Sequence, residues 1–207
     1  ITDAPTVAQL KAINNATTGA ITLNTPNGAL AGDSTDIAAA FAGTVTTHTG
    51  TVTISNNDYT VAELKTINAA TTGAITLATT TVALSGSSSD LAAAFAGTFA
   101  SSYTGNITIT NNDYTTAQLK AINNATTGTI TLTTTNVNLS GSAADLVAVF
   151  AGTITEHTGN INITDTPTDA QLALIDQATT GTITLSGGGG GGSELEGSVT
   201  ASYLNTL

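Results

Sequence analysis

The stretch Gln118-Leu119-Lys120-Ala121-Ile122-Asn123-Asn124-Ala125-Thr126-Thr127-Gly128-Thr129-Ile130-Thr131-Leu132 decides the fold. Leu119 and Ile122 are spaced as the inward face of a short helix. Thr115, with Gln118 three places on, has the spacing of a capping box that starts that helix. Gly128 reads as the left-handed residue that stops it. The alternation Ile130-Thr131-Leu132 then reads as a half-buried strand.

The same unit recurs along the chain. Ala-Thr-Thr-Gly ends at Gly19, Gly73, Gly128 and Gly181, and Phe-Ala-Gly ends between them at Gly43, Gly97 and Gly152. Helix starts fall at Thr6/Gln9, Asp33/Asp36, Thr60/Glu63, Ser87/Asp90, Thr115/Gln118, Ser142/Asp145 and Thr168/Gln171, at intervals of 26 to 28 residues. A fixed period in the twenties is the mark of a solenoid, in which each coil buries its apolar face against its neighbours. Two coil types alternate. The Thr-Thr-Gly coils place Leu10/Ile13, Leu64/Ile67, Leu119/Ile122 and Leu172/Ile175 inward; the Phe-Ala-Gly coils place Ile37/Phe41, Leu91/Phe95 and Leu146/Phe150 inward. Further alternating runs, such as Val52-Thr53-Ile54 and Ile107-Thr108-Ile109, lead into the helices through turns such as Asn56-Asn57-Asp58. The expected fold is an α/β solenoid of stacked coils about 27 residues long, each with short strands in parallel ladders and one short helix. Seven coils cover residues 1–185, and the aliphatic ladder positions leave the intervening threonines facing outward.

The pattern breaks after Leu185. Six glycines, Gly187 to Gly192, precede a last capping signal at Ser193/Glu196, after which Leu195, Val199, Tyr203 and Leu207 keep helical spacing. Residues 186–207 read as a Gly-rich segment and atypical C-terminal end (a cap, a hinge, or a tail that docks on another subunit), with a flexible linker as the alternative. At the other end, Ile1-Thr2-Asp3 reads as a strand with an open ladder edge, and such an edge invites pairing with another chain. A chain starting at Ile1 without methionine reads as released from a longer secreted protein.

Composition narrows the chemistry. Threonine makes up about a fifth of the chain, and charged residues are 8% against about 25% in an ordinary domain. The net charge of −11, with three lysines and no arginine, makes nucleic acid and anionic membrane poor partners. Membrane insertion is not expected, since no apolar run is long enough. Cysteine is absent, so there is no thiolate metal site and no disulfide framework. Asp58 and Asp113, in Asn-Asn-Asp turns, could support weak calcium binding at most, because no EF-hand or nonapeptide calcium pattern is present. Asp36, Asp90 and Asp145 are explained as first-turn acids at helix N-termini. Lys11, Lys65 and Lys120 form a column expected to pair with nearby acids. His48 and His157 share a turn position with Tyr103, an exchange no catalytic or metal site would tolerate, so they read as surface turn residues. No cofactor is implied, and the chain reads as non-enzymatic.

Ala170-Gln171-Leu172-Ala173-Leu174-Ile175-Asp176-Gln177-Ala178-Thr179-Thr180-Gly181 follows the pattern A-x-x-L-x-x-I-D-x-x-T-T-G. It resembles the tandem repeats of giant secreted cell-surface proteins of cyanobacteria and other bacteria, including the type associated with swimming motility. The other three copies depart from it with Asn14, Asn68 and Asn123 in place of the aspartate. The resemblance covers residues 1–185 and implies an extracellular, structural or adhesive role with no functional residues to carry over.

The leading expectation is therefore a cell-surface structural protein that associates with itself head-to-tail into a filament, sheath or surface layer. Its contact residues would be Ile1, Thr2 and Asp3 at one end and Leu195, Val199, Tyr203 and Leu207 at the other. One alternative is an ice-binding face built from the pairs Thr44/Thr46, Thr51/Thr53, Thr108/Thr110, Thr129/Thr131, Thr153/Thr155 and Thr182/Thr184. Another is an adhesin segment that contacts glycans or surfaces, for which Tyr59, Tyr103, Tyr114 and Tyr203 are the available aromatic residues.

Overall fold

Capping signals set the helix starts. In a computed structural model that describes residues 1–186, Thr6, Thr60, Thr115 and Thr168 each accept a hydrogen bond from the backbone N–H three residues on. The Gln9, Glu63, Gln118 and Gln171 side chains bond back, so all four boxes are complete. They open α1 (Val7–Ala16), α3 (Val61–Ala70), α5 (Thr116–Ala125) and α7 (Asp169–Ala178). The Phe-Ala-Gly coils supply α2 (Ser34–Phe41), α4 (Ser88–Ala94) and α6 (Ala143–Phe150). Asp33 makes no capping bond; it accepts one from Ser55 Oγ at 3.0 Å. The turn of the following coil caps α2 instead, with Ser34 N–H donating to Asn56 Oδ1 at 2.8 Å. Ser88 on Asn111 and Ala143 on Asp165 repeat that bond.

The fold is mixed α/β, with seven helices and three parallel three-stranded sheets among the described residues. The strands are β1 (Leu30–Gly32), β2 (Val52–Ile54), β3 (Ile75–Leu77), β4 (Leu84–Gly86), β5 (Ile107–Ile109), β6 (Ile130–Leu132), β7 (Leu139–Gly141), β8 (Ile161–Ile163) and β9 (Ile183–Leu185). They form sheets β1-β2-β3, β4-β5-β6 and β7-β8-β9. A helix crosses over between β1 and β2 and between β2 and β3, as parallel pairing demands. Only the turn at 78–83 separates β3 from β4, so the chain leaves one sheet and opens another there.

Two compact units are present, Ile1–Ser85 with Ser89–Gly105, and Gly86–Ser88 with Asn106 onward. In the first, Leu30, Val52 and Ile75 stand in register and point into the core with Leu10, Ile37, Leu64 and Ile67. In the second, Ile161 and Ile183 pair in register, and Leu119, Ile122, Leu146 and Ile175 are fully buried. Each such aliphatic side chain contributes about 1.5–3 kcal/mol on burial.

One expectation is corrected. The Thr-Thr-Gly helices end when Thr17, Thr71, Thr126 and Thr179 turn to extended backbone, and Gly19, Gly73 and Gly181 are not left-handed. Glycine is required by close approach: a Cβ on Gly73 would lie 1.7 Å from the Gly50 carbonyl oxygen, and one on Gly181 2.1 Å from that of Gly159. The ladder threonines are exposed or half-exposed, as Thr131 and Thr184 show, while the helix-end threonines Thr71, Thr126 and Thr179 are buried.

Candidate self-association surface

Neighbouring coils are joined by bonds that recur at a fixed offset. Lys11, Lys65 and Lys120 each reach Asp36, Asp90 and Asp145 respectively at 2.5 Å. These half-exposed pairs confirm the lysine column, and each is worth no more than about 1 kcal/mol. Asn14, Asn68 and Asn123 donate Nδ2 to the carbonyls of Ala39, Ala93 and Ala148 at 2.8–2.9 Å. The amide oxygens point at Gly43, Gly97 and Gly152, where a Cβ would lie 2.1, 1.8 and 1.9 Å away. The hydrogen on each glycine takes that direction, a weak Cα–H···O contact that is the one available to the buried Asn68 and Asn123 oxygens. The Phe-Ala-Gly glycine is thus fixed by an asparagine of the preceding coil.

His48 and His157 are not surface residues: they are 2% and 0% exposed. His48 Nε2 lies 2.7 Å from the Gly28 carbonyl oxygen and Nδ1 3.2 Å from Thr71 Oγ1. His157 makes the same pair with Val137 and Thr179 at 2.9 and 3.3 Å. A carbonyl only accepts, so Nε2 carries the proton in both. Tyr103 donates its hydroxyl to the Val82 carbonyl in the equivalent place. Phe41, Phe95 and Phe150 pack tilted on His48, Tyr103 and His157 with centroids 5.0–5.7 Å apart. The position therefore demands a ring ending in a donor, which both residue types provide. Their shared donor chemistry was the available signal.

Burial pushes both imidazoles below their ordinary pKa, opposed by the carbonyl hydrogen bonds. The unfolded chain then binds protons more readily than the folded one, so stability falls as pH drops through the ordinary histidine pKa towards the lower folded value. We expect denaturant midpoints to decline between pH 7 and pH 5. The double variant His48→Tyr/His157→Tyr, which copies the Tyr103 arrangement, should lose most of that slope. An unchanged slope would show that carboxylates carry it.

The tyrosines offer no aromatic platform among the described residues. Tyr59, Tyr103 and Tyr114 are 1–2% exposed, and Tyr59 and Tyr114 donate to the Thr79 and Thr134 carbonyls. Burial pushes Tyr114 up to about 12. The outward strand columns read Ala31-Thr53-Thr76, Thr108-Thr131 continued by Thr155 through the Ile130–Ile154 bridge, and Ser140-Asn162-Thr184, so the threonine columns are short and interrupted. Asp58 and Asp113 accept from Asn56 and Asn111 at 2.5 Å, and among the described residues no three His, Asp or Glu side chains are grouped to hold a metal. A concavity of about 330 Å³ beside Phe150, Glu156, Gln177 and Thr180 offers hydrogen-bonding groups but no histidine.

The first helix departs from its counterparts. Ile67, Ile122 and Ile175 are fully buried, whereas Ile13, expected inward, is 38% exposed. Residues 1–3 form no regular strand; Ile1 is held by its ammonium donating to the Thr22 carbonyl at 2.8 Å and by Asn24 N–H donating to its own carbonyl at 3.0 Å. Thr2 and Asp3 are exposed beside it. On the last helix Leu172 is half-buried and Leu174 is 52% exposed. Leu195, Val199, Tyr203 and Leu207 lie outside the described residues.

No family model, curated protein or solved structure matches the chain. No helix among the described residues is long and apolar enough to cross a membrane.

Proposed function

We propose that the chain is a structural segment of a cell-surface assembly: an α/β solenoid that associates head-to-tail into a filament, sheath or layer. One observation carries this reading. The exposed large hydrophobic side chains among the described residues are Ile13 and Leu174, on the first and last helices. An exposed aliphatic side chain on each of these two helices suits a contact in which unlike surfaces of two copies meet. Such a contact propagates unless its rotation closes a ring. The recurring polar residues support a structural rather than catalytic role, since Lys, Asn, His and the first-turn acids are engaged in coil-to-coil bonds. The extracellular setting follows from the resemblance to secreted surface repeats and from the threonine-rich, acidic composition.

Residues Ser193–Leu207 supply the far side of the contact, against Ile1–Asp3 and α1 of the next copy. Deleting Ser193–Leu207 should abolish polymerisation while leaving the circular dichroism of the coils intact. If the shortened chain forms the same fibres, the tail is not the contact.

A further inference from the structure

The polar side chains that recur from coil to coil are engaged in coil-to-coil bonds: Lys120 with Asp145, Asn123 with the Ala148 carbonyl, His157 with Val137 and Thr179. Glu156 and Gln177 are different. The residue before the buried ring is Thr47 or Ser102 in the other coils, and Gln177 stands where α3 and α5 have Ala69 and Asn124. The fold accepts shorter side chains at both places, so it does not ask for a carboxylate or a long amide there. Both side chains are exposed, and neither makes a hydrogen bond or ion pair among the described residues. The two departures meet: both line the concavity of about 330 Å³, with Phe150, Ile154, Ala178 and Thr180. Its walls are fixed from behind. Half-buried Phe150 lies tilted 56° to the His157 ring at 5.6 Å, Ile154 bridges to Ile130, and Thr180 N–H donates to the His157 carbonyl at 3.1 Å. The opening belongs to the coil pair itself, since Thr47, Ala69 and Thr72, at the same places in the earlier pair, are exposed although a further coil follows them.

We propose that this concavity is a binding site for a single pyranose ring, as a free sugar or as the end of a glycan. Phe150, Ile154 and Ala178 offer an apolar surface to the C–H face of the ring. At the rim, the Glu156 carboxylate accepts from adjacent hydroxyls. The Gln177 amide and the Thr180 hydroxyl both donate and accept, as sugar hydroxyls do. A volume at the lower end of the roughly 300–1,000 Å³ range of ligand pockets suits one ring and not a chain. Glu156 and the net charge of −11 disfavour a phosphate or sulfate ester. An organic cation would use only Glu156 and the Phe150 ring, leaving Gln177 and Thr180 without a role. The proposal does not rest on head-to-tail association, which the tail deletion tests separately.

Titrating the isotope-labelled full chain with glucose, galactose, mannose, N-acetylglucosamine and their methyl glycosides, read by amide chemical shifts, tests the site. For at least one sugar we expect saturable shifts confined to the 150–157 and 177–181 amides, with Kd in the millimolar range. Saturation by the methyl glycoside as well assigns a glycan end; saturation by the free sugar alone assigns a free sugar. The double variant Glu156→Thr/Gln177→Ala restores the residues that the fold already carries at 47 and 69. It should keep the circular dichroism of the native chain and weaken binding at least about tenfold. Tetramethylammonium is the control. If no sugar gives saturable shifts at these amides, if tetramethylammonium alone gives them, or if the double variant binds as tightly as the native chain, the proposal is overturned.

Discussion

Gly73→Ala should destabilise the chain by about 3 kcal/mol or more, while Gly19→Ala should cost no more than about 0.5 kcal/mol. The two glycines end the same Ala-Thr-Thr-Gly sequence and share the same bond to the preceding threonine, Gly19 on Thr17 and Gly73 on Thr71, both at 3.0 Å. They differ in what lies beyond. At Gly73 the new methyl would enter the Gly50 carbonyl at 1.7 Å, and backbone on both sides must move. At Gly19 it meets a hydroxyl that can rotate. Because neither residue has a positive φ, the difference reports the neighbouring coil and not backbone strain. Urea denaturation followed by circular dichroism measures both. Equal costs would mean that glycine is needed by the turn itself, and the close-approach account would fail.

The second contrast is Ile67→Ala against Ile13→Ala. Ile67 is fully enclosed, so losing its side chain removes burial and leaves a cavity, at a cost of about 2–5 kcal/mol. Ile13 is 38% exposed and its loss leaves no enclosed space, so the cost should be less than about half of that. The comparison holds residue type and helix position constant. A large loss at Ile13 in dilute protein would contradict its exposure.

Much of the architecture was legible because it is local. Thr6, Thr60, Thr115 and Thr168 announce their helices by a side chain three residues away, and all four boxes form. The alternating runs at 52–54, 75–77, 107–109, 130–132, 161–163 and 183–185 form strands, whereas Ile21, Val45 and Ile154 make only isolated bridges, and the lysine column finds its acids. What the sequence did not disclose are the reasons set by partners 20 to 30 residues away. His48, Tyr103 and His157 looked like interchangeable turn residues, because a single coil does not contain the carbonyl they reach or the phenylalanine they lie on. The glycines after Thr-Thr read as helix stops because the backbone that crowds Gly73 and Gly181 belongs to the previous coil. Ile13 fits the inward pattern as well as Ile67 does, and no periodicity within α1 encodes its exposure. The split into three sheets was also hidden, since the ladder residues repeat smoothly through β3 and β4 although the chain changes sheet at 78–83.

Head-to-tail association is the central claim, and the state of the intact chain across concentration tests it most directly. Sedimentation velocity from dilute to concentrated protein, with negative-stain microscopy of the same samples, should show growth from single chains into filaments or sheets whose axial repeat is one chain length. A monodisperse monomer over the whole range would contradict it.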